Sequence, residues 1–412
     1  MEPTAWDDEL APRSRRNPIV AVVAVLVVLS LVGGAIEIAF GRTGTKTAAR
    51  PPATTSTGPP TTLGPAPSAT ELDKVVATIS AFVARARELP FVHPVPVKLL
   101  GADEFAARVR KDSLTDLASL EKSEGVLRAV GLLAPGVKLA DVLGSFLGAS
   151  VVGYYDPKAK ELVVRGAAIT PYVRITLSHE LTHALDDQHF GLDRPALDKA
   201  DDESGTAFSA LVEGNAVRIQ EEYRKTLSAA ERKQSDAEEA RLSAAIDLSK
   251  VPRVIPELIE FPYQFGPALV DALVAHGGEK RVDEAFAKPP TTTEQVVDPA
   301  AWLSTGAPPV SVAPPTAEGP TFDQGVLGLW GLVLVLEDEV GQQGAISAAK
   351  GWGGDWYVAW KKGAKVCVRD TLAMDTPKDL QELGSALDDW AAAQTDAKVT
   401  RTADRVSFTS CA

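Results

Sequence analysis

Between Ser178 and Phe190 the chain reads SHELTHALDDQHF, a stretch whose polar residues are spaced for one kind of backbone. His179 and His183 are four residues apart, and Glu180 directly follows the first. On an α-helix, positions i and i+4 project from one face about one turn apart, so a helix here brings two imidazoles together with a carboxylate beside them. Local signals agree with a helix. Thr170 can serve as N-cap, Pro171 suits the first helical position, and Gly191 stands past an expected end near Gln188. Two imidazoles at this spacing can bind one Zn²⁺ through a ring nitrogen each. Glu180 is then placed to take a proton from an attacking water and pass it to a leaving amine.

A catalytic zinc centre needs a third protein ligand and one open position. Two residues compete for the place. Glu213 lies in Leu-Val-Glu-Gly-Asn-Ala, 30 residues beyond His183, on a helix expected to start near Asp201. His189 lies six residues beyond His183, the metzincin spacing H-E-x-x-H-x-x-G-x-x-H. That spacing uses a Gly to turn the chain sharply, and Asp186 holds its place here. A Met-turn has only the distant Met374 to draw on. Glu213 is therefore the favoured ligand, an arrangement of the gluzincin kind. Asp187 continues the row of His179 and His183, where it can accept a hydrogen bond from the nitrogen not used for metal, and Asn215 can act similarly beside Glu213. His93 and His276 have no metal spacing.

The N-terminal part sets the compartment. From Ile19 to Ile36 there is no charged residue, and at about 1.5 Å per residue these positions span about 27 Å, close to a hydrocarbon core. Arg13, Arg15 and Arg16 precede the run and Glu37 follows it, which puts the N-terminus in the cytoplasm and the rest outside. A cleaved signal peptide is the rival reading, but its apolar region is usually shorter and no clean Ala-x-Ala site follows. Residues 41–70 are rich in Pro, Thr, Gly and Ser, lack acidic and aromatic residues, and read as a semi-rigid spacer. A net charge of −13 argues against nucleic acid or an anionic lipid face as main partner. The two cysteines, Cys367 and Cys411, form no Cys-x-x-Cys pair, and outside the cytoplasm a disulfide between them is expected.

Ordered structure should begin near Glu71, where Val75, Ile79, Phe82 and Val83 fall at helical spacing. A strand is expected over 95–100, a helix over 103–120, and two strands over 151–155 and 161–165 joined at Asp156-Pro157. The open side of the strand ending at Tyr154 and Tyr155 can pair with an extended peptide. Residues 226–247 read as a solvated, charged helix, and Leu327–Leu336 as a buried one. The last part reads as a small α/β module. It has a hairpin over 356–360 and 365–371, then a helix capped by Thr376 with Leu380, Leu383, Leu387, Trp390 and Ala391 buried. A final strand over 405–410 follows, and a Cys367–Cys411 bridge would tie the first strand of this module to the last.

HELTHALDDQHF, the later EGNA, and FPYQFGPALVDAL followed by PPTTTEQVVDP resemble a group of exported bacterial, actinobacterial-type gluzincin peptidases. HELTHALDD is also similar to the active-site helix of thermolysin-like enzymes. The resemblance runs from about Val95 to Cys411 and implies an α+β, zincin-like metallopeptidase core: a small sheet over the active-site helix, then a helical lobe. Tyr263, within the resembling segment, is the candidate donor to a developing oxyanion. The sequence departs from the group's pattern at Asn215, where Asp is usual, Asp298 (His), Leu329 (Glu) and Trp356 (Arg). The expected organisation is a cytoplasmic tail (1–18), a transmembrane signal-anchor (19–40), the spacer (41–70), the peptidase domain (71–320) and the C-terminal module (321–412). The expected function is hydrolysis of envelope or external peptides by a membrane-anchored, extracytoplasmic zinc enzyme. The alternative is an inactive module of the same fold that binds envelope peptides or a partner protein.

Overall fold

The computed structural model describes residues 69–113, 117–166, 168–198, 200–244 and 246–412. The expected tail and transmembrane segment, and all but the last two residues of the spacer, lie outside the described residues. Within them no helix is long and apolar enough to cross a membrane.

The architecture is mixed α+β, with helices around two separate sheets. Helix α1 (Ala69–Ala86) buries Ile79 and Val83 and half-buries Val75 and Phe82, as their spacing predicts. Strand β1 (Val97–Leu100) follows. The single helix expected over 103–120 is two, α2 (Ala102–Ser113) and α3 (Leu117–Ala129), which bury Phe105, Val109 and Leu120. After α4 (Leu139–Ser150) come β2 (Gly153–Asp156) and β3 (Glu161–Arg165). Order in this sheet is β1-β3-β2, with β1 parallel and β2 antiparallel to β3, so β2 is an edge strand.

The active-site helix candidate is α5 (Pro171–Phe190). Thr170 accepts a hydrogen bond from Val173 N at 3.2 Å, and Gly191 closes the helix at φ 67°, the left-handed region that glycine enters without a Cβ clash. The short α6 (Pro195–Asp198) leads to α7 (Ser204–Thr226), α8 (Ala229–Ala244) and α9 (Val254–Gly277). Helices α7 and α9 meet at Gly214 and Gly266. A Cβ on either would fall inside the van der Waals radius of the opposite backbone, so this crossing needs both glycines. Tyr263 lies between Pro262 and Pro267 in the interior of α9.

Helices α10 (Glu279–Ala287), α11 (Thr293–Val297) and α12 (Pro299–Thr305) lead to a five-stranded sheet. Its elements are β4 (Thr321–Gly325), α13 (Gly328–Ala349), β5 (Trp352–Lys362), β6 (Lys365–Met374), α14 (Pro377–Ala393), β7 (Ala397–Arg401) and β8 (Val406–Cys411), with strand order β4-β5-β6-β8-β7. The buried helix expected over 327–336 continues to Ala349 past a kink at Gly341 (φ 71°). Leu383, Leu387 and Trp390 form the buried face of α14, with Leu380 and Ala391 at its margin. One apolar core runs from Phe105 to Phe408 and crosses the expected 320/321 boundary. The Trp390 indole in α14, for example, donates to the Val130 carbonyl just past α3.

Cys367 and Cys411 are bonded, directly opposite one another on β6 and β8. Cys367 therefore belongs to the second hairpin strand, not to the first strand of the module. The bond closes a separation of 44 residues, which in the chain-entropy account contributes up to about 4 kcal/mol. Replacing both cysteines by serine should lower the urea midpoint and steepen the slope, since the chain without the cross-link exposes more surface on unfolding; an unmoved midpoint would remove the bridge as a source of stability.

Candidate metal centre

Helix α5 is buried over nearly its whole length, including Ser178, His179, Glu180, Thr182, His183, Asp186 and Asp187. A helix this polar and this buried must give its polar groups partners. Ser178 Oγ and Thr182 Oγ1 donate back to the carbonyls of Ile175 and Ser178. The histidines take a different course. His179 Nε2 lies 3.1 Å from Glu213 Oε2, and His183 Nε2 lies 3.5 Å from the same oxygen. The two rings are edge to face with centroids 4.6 Å apart. Helix α7 delivers Glu213 from the opposite side, its approach set by the close crossing at Gly214.

His179, His183 and Glu213 are fully buried, and one ligand atom from each falls within 4.8 Å of the others, so the group could hold a metal ion. Several of its atoms have no hydrogen-bond partner: His183 Nε2, Glu213 Oε1 and both Nδ1 atoms. Orphaned buried donors and acceptors are costly, and a cation among convergent nitrogens and a carboxylate oxygen would account for the inward-facing ones. Burial opposes charge on His179 and lowers its pKa, although Glu213 pulls the other way. Burial acts likewise on His183, but the Glu213 carboxylate outweighs it and the pKa is raised. Burial also works against the Glu213 carboxylate, yet His183 and His179 hold its pKa below the ordinary value.

Glu180 stands beside this group without joining it. Its Oε2 accepts the Tyr155 backbone N–H at 2.9 Å, and its Oε1 is buried with no partner. Burial pushes its carboxyl up to about 8, helped by Glu213 and opposed by His183 and the Tyr155 N–H.

The other expected site residues are placed as follows. His189 donates to the Pro90 carbonyl at 2.7 Å and is not in the ligand group. Asp187 does not reach either histidine. Its carboxylate accepts from Tyr155 Oη (2.7 Å), Lys160 Nζ (2.6 Å) and Leu192 N (2.9 Å), so the helical row points it at the β2–β3 hairpin instead of at the metal side. Asn215 likewise turns away from the ligands: its amide donates to Asp186 at 2.6 Å and its oxygen accepts from Arg218. Tyr154 and Tyr155 are buried, so their side chains offer nothing to a peptide. Only the backbone of β2 remains for pairing. Arg165 N donates to the Val152 carbonyl, and Tyr154 pairs with Val163. By strand alternation the backbone groups of Gly153 and Tyr155 turn away from β3, but both residues are buried, and the Tyr155 N–H is already held by Glu180. Tyr263 stacks near His179, with ring centroids 6.2 Å apart.

Two features escape the sequence. Arg87, fully buried at the end of α1, pairs with Asp186 (3.1 Å), Asp283 (2.9 Å) and Glu279. Through Asp186 it braces the helix one turn beyond His183. Second, α8 is not merely solvated: Ser235, Asp236 and Glu239 line a cleft of about 260 Å³ that His179 and Tyr263 also line. Its weak apolar stripe conceals this role because the surface it faces is itself polar. Asp298 caps α12 by accepting from Ala301 N at 3.0 Å, Leu329 is buried in the main core, and Trp356 lies on β5. None of these three departures lines the cleft at His179. Comparison of the chain with protein-family models, with curated proteins and with solved structures finds no match.

Proposed function

We propose that this chain is a zinc metallopeptidase of the gluzincin kind, anchored by residues 19–40 in the cell membrane with its catalytic part outside the cytoplasm. The observation that carries the reading is the convergence of His179 Nε2, His183 Nε2 and Glu213 Oε2 beside the one-sidedly bonded Glu180. A zinc ion held by those three residues would supply Lewis acidity and a water nucleophile competent near neutral pH. Glu180, fixed through Oε2 by the Tyr155 N–H, keeps Oε1 to accept the proton of that water and return it to the leaving amine. On edge strand β2 the Gly153 backbone, buried but turned away from β3, is the group with which an extended peptide would pair. Tyr263, whose ring stacks near His179, is the candidate donor to the developing oxyanion. The Cys367–Cys411 bond agrees with an oxidising compartment, and the substrate is a protein or peptide of the cell envelope or its surroundings.

Metal analysis of the purified chain tests this reading. About one zinc per chain is expected. His179→Ala or His183→Ala should abolish stoichiometric binding and Glu213→Ala should weaken it strongly, while His189→Ala should leave it intact. Full zinc retention in both histidine variants would sink the proposal, and loss in His189→Ala with retention in Glu213→Ala would move the chain to the metzincin arrangement.

A further inference from the structure

The cleft beside the metal centre carries a charge pattern that the proposed reaction does not require. Its walls come from α5, α7, α8 and α9, and the fully buried His179 forms part of its lining. Thr176, also in the lining, precedes His179 by three residues and Glu180 by four, and so shares the helical face of the base. Its methyl group would be 3.2 Å from a Cβ placed on Gly153, which sets the cleft next to β2. Because His179 of the metal centre lines the cleft, a peptide held at that centre would have this space within reach of a side chain near its scissile bond.

Three carboxylates line the cleft, Glu221, Asp236 and Glu239, against a single cation, Arg224. Arg224 is held by Asp236 at 2.7 Å, so that pair is neutral as a unit. Glu221 makes no ion pair within contact distance among the described residues; it and Glu239 also feel the charge of Arg224, so three carboxylates share one cation and the cleft keeps an excess of negative charge. The rings of Tyr172 and Tyr263 also line the space, and aromatic faces favour cations. We infer that the cleft takes a lysine or arginine side chain of the peptide, with Glu221 as the residue that selects it. This rests on the peptide reading of the metal centre, which supplies the class of ligand. Removing Glu221 takes away the attraction, and reversing its charge turns the cleft against a cation, since like charges at close quarters discriminate as strongly as opposite ones.

Binding measurements separate this selectivity from catalysis. The probes are blocked fluorescent peptides of sequence Ala-Ala-X-Ala-Ala, with X as Arg, Gln or Glu. They are titrated against the zinc-loaded full chain carrying Glu180→Gln, at low ionic strength, with anisotropy as the signal. The Arg peptide should bind about tenfold tighter than the other two. Adding Glu221→Gln should erase most of that gap, and Glu221→Lys should make the Glu peptide the preferred one. No measurable binding of the Arg peptide, equal affinities for all three, or an Arg preference that survives Glu221→Gln would overturn the inference. Cleavage by the wild-type chain is scored separately. An Arg peptide that binds through Glu221 but is never cut would remove the peptidase reading and leave the selectivity standing. Cleavage indifferent to X would do the reverse.

Discussion

Glu180→Gln should leave fold and zinc content unchanged and lower peptide hydrolysis by about 10²–10⁴-fold, because one group serves both proton transfers. The substitution keeps the side-chain volume, and the amide oxygen can still accept the Tyr155 N–H that now holds Oε2. What disappears is the basic Oε1, the buried oxygen with no partner of its own. Zinc content should survive because Glu180 is not in the ligand group. A chelator should silence the wild type and added zinc restore it. If wild type and variant are equally inert on a broad peptide library while both hold zinc, the chain is a binding module built on a metal-centre scaffold, and the peptidase reading is lost.

Arg87→Met should cost about 3–5 kcal/mol of folding stability, the range for removing one partner of a buried ion pair. Met replaces the aliphatic stem but abandons three carboxylates. Glu279 retains Arg218 at 2.8 Å, and Asp283 is partly exposed, so both are tolerable. Asp186 is the costly one. It is fully buried, and the only other hydrogen bond it accepts in this network is from the Asn215 amide. Burial already holds its pKa above the ordinary value despite Arg87, and without the guanidinium it rises further. A carboxyl with a raised folded-state pKa stabilises below its unfolded pKa and loses that contribution as pH climbs through the folded one. The deficit of Arg87→Met should therefore shrink on acidification. Urea unfolding across a pH series measures both effects; a loss under about 1 kcal/mol at neutral pH would show that the cluster is not a structural brace.

Helix α5 could be read from sequence because its determinants are local. Thr170, Pro171 and Gly191 mark its ends, and the His179–His183 spacing fixes one face whatever surrounds it. Glu213 could be named because candidates for a third ligand were few. The misplacements share a cause. Periodicity says that Asp187 lies in the row of the histidines, but not that Tyr155 and Lys160 wait there from a hairpin. Arg87 looks like an ordinary basic residue at a helix end, and its partners lie 99, 192 and 196 residues away. Strands β4 (TFDQG) and β7 (AKVTR) are edge strands with few apolar residues to mark them, and only pairing with β5 and β8 makes them strands. Charge-rich α8 offers only a weak apolar stripe, because it lines a cleft of mixed polar and apolar residues.

The meeting of Gly214 and Gly266 bears on chemistry that neither residue touches. Gly214 directly follows Glu213, so the distance between α7 and α9 at that point is also the lever that sets how far the carboxylate reaches toward His179 and His183. Coordination bonds tolerate errors of only about 0.2 Å. A single methyl group at either glycine would shift the helix axis by more than that tolerance while leaving every ligand and every charge in place. The gauge of the candidate centre is thus kept by two hydrogen atoms, and a lineage could lose this ligand geometry through an alanine at a position with no polar function at all.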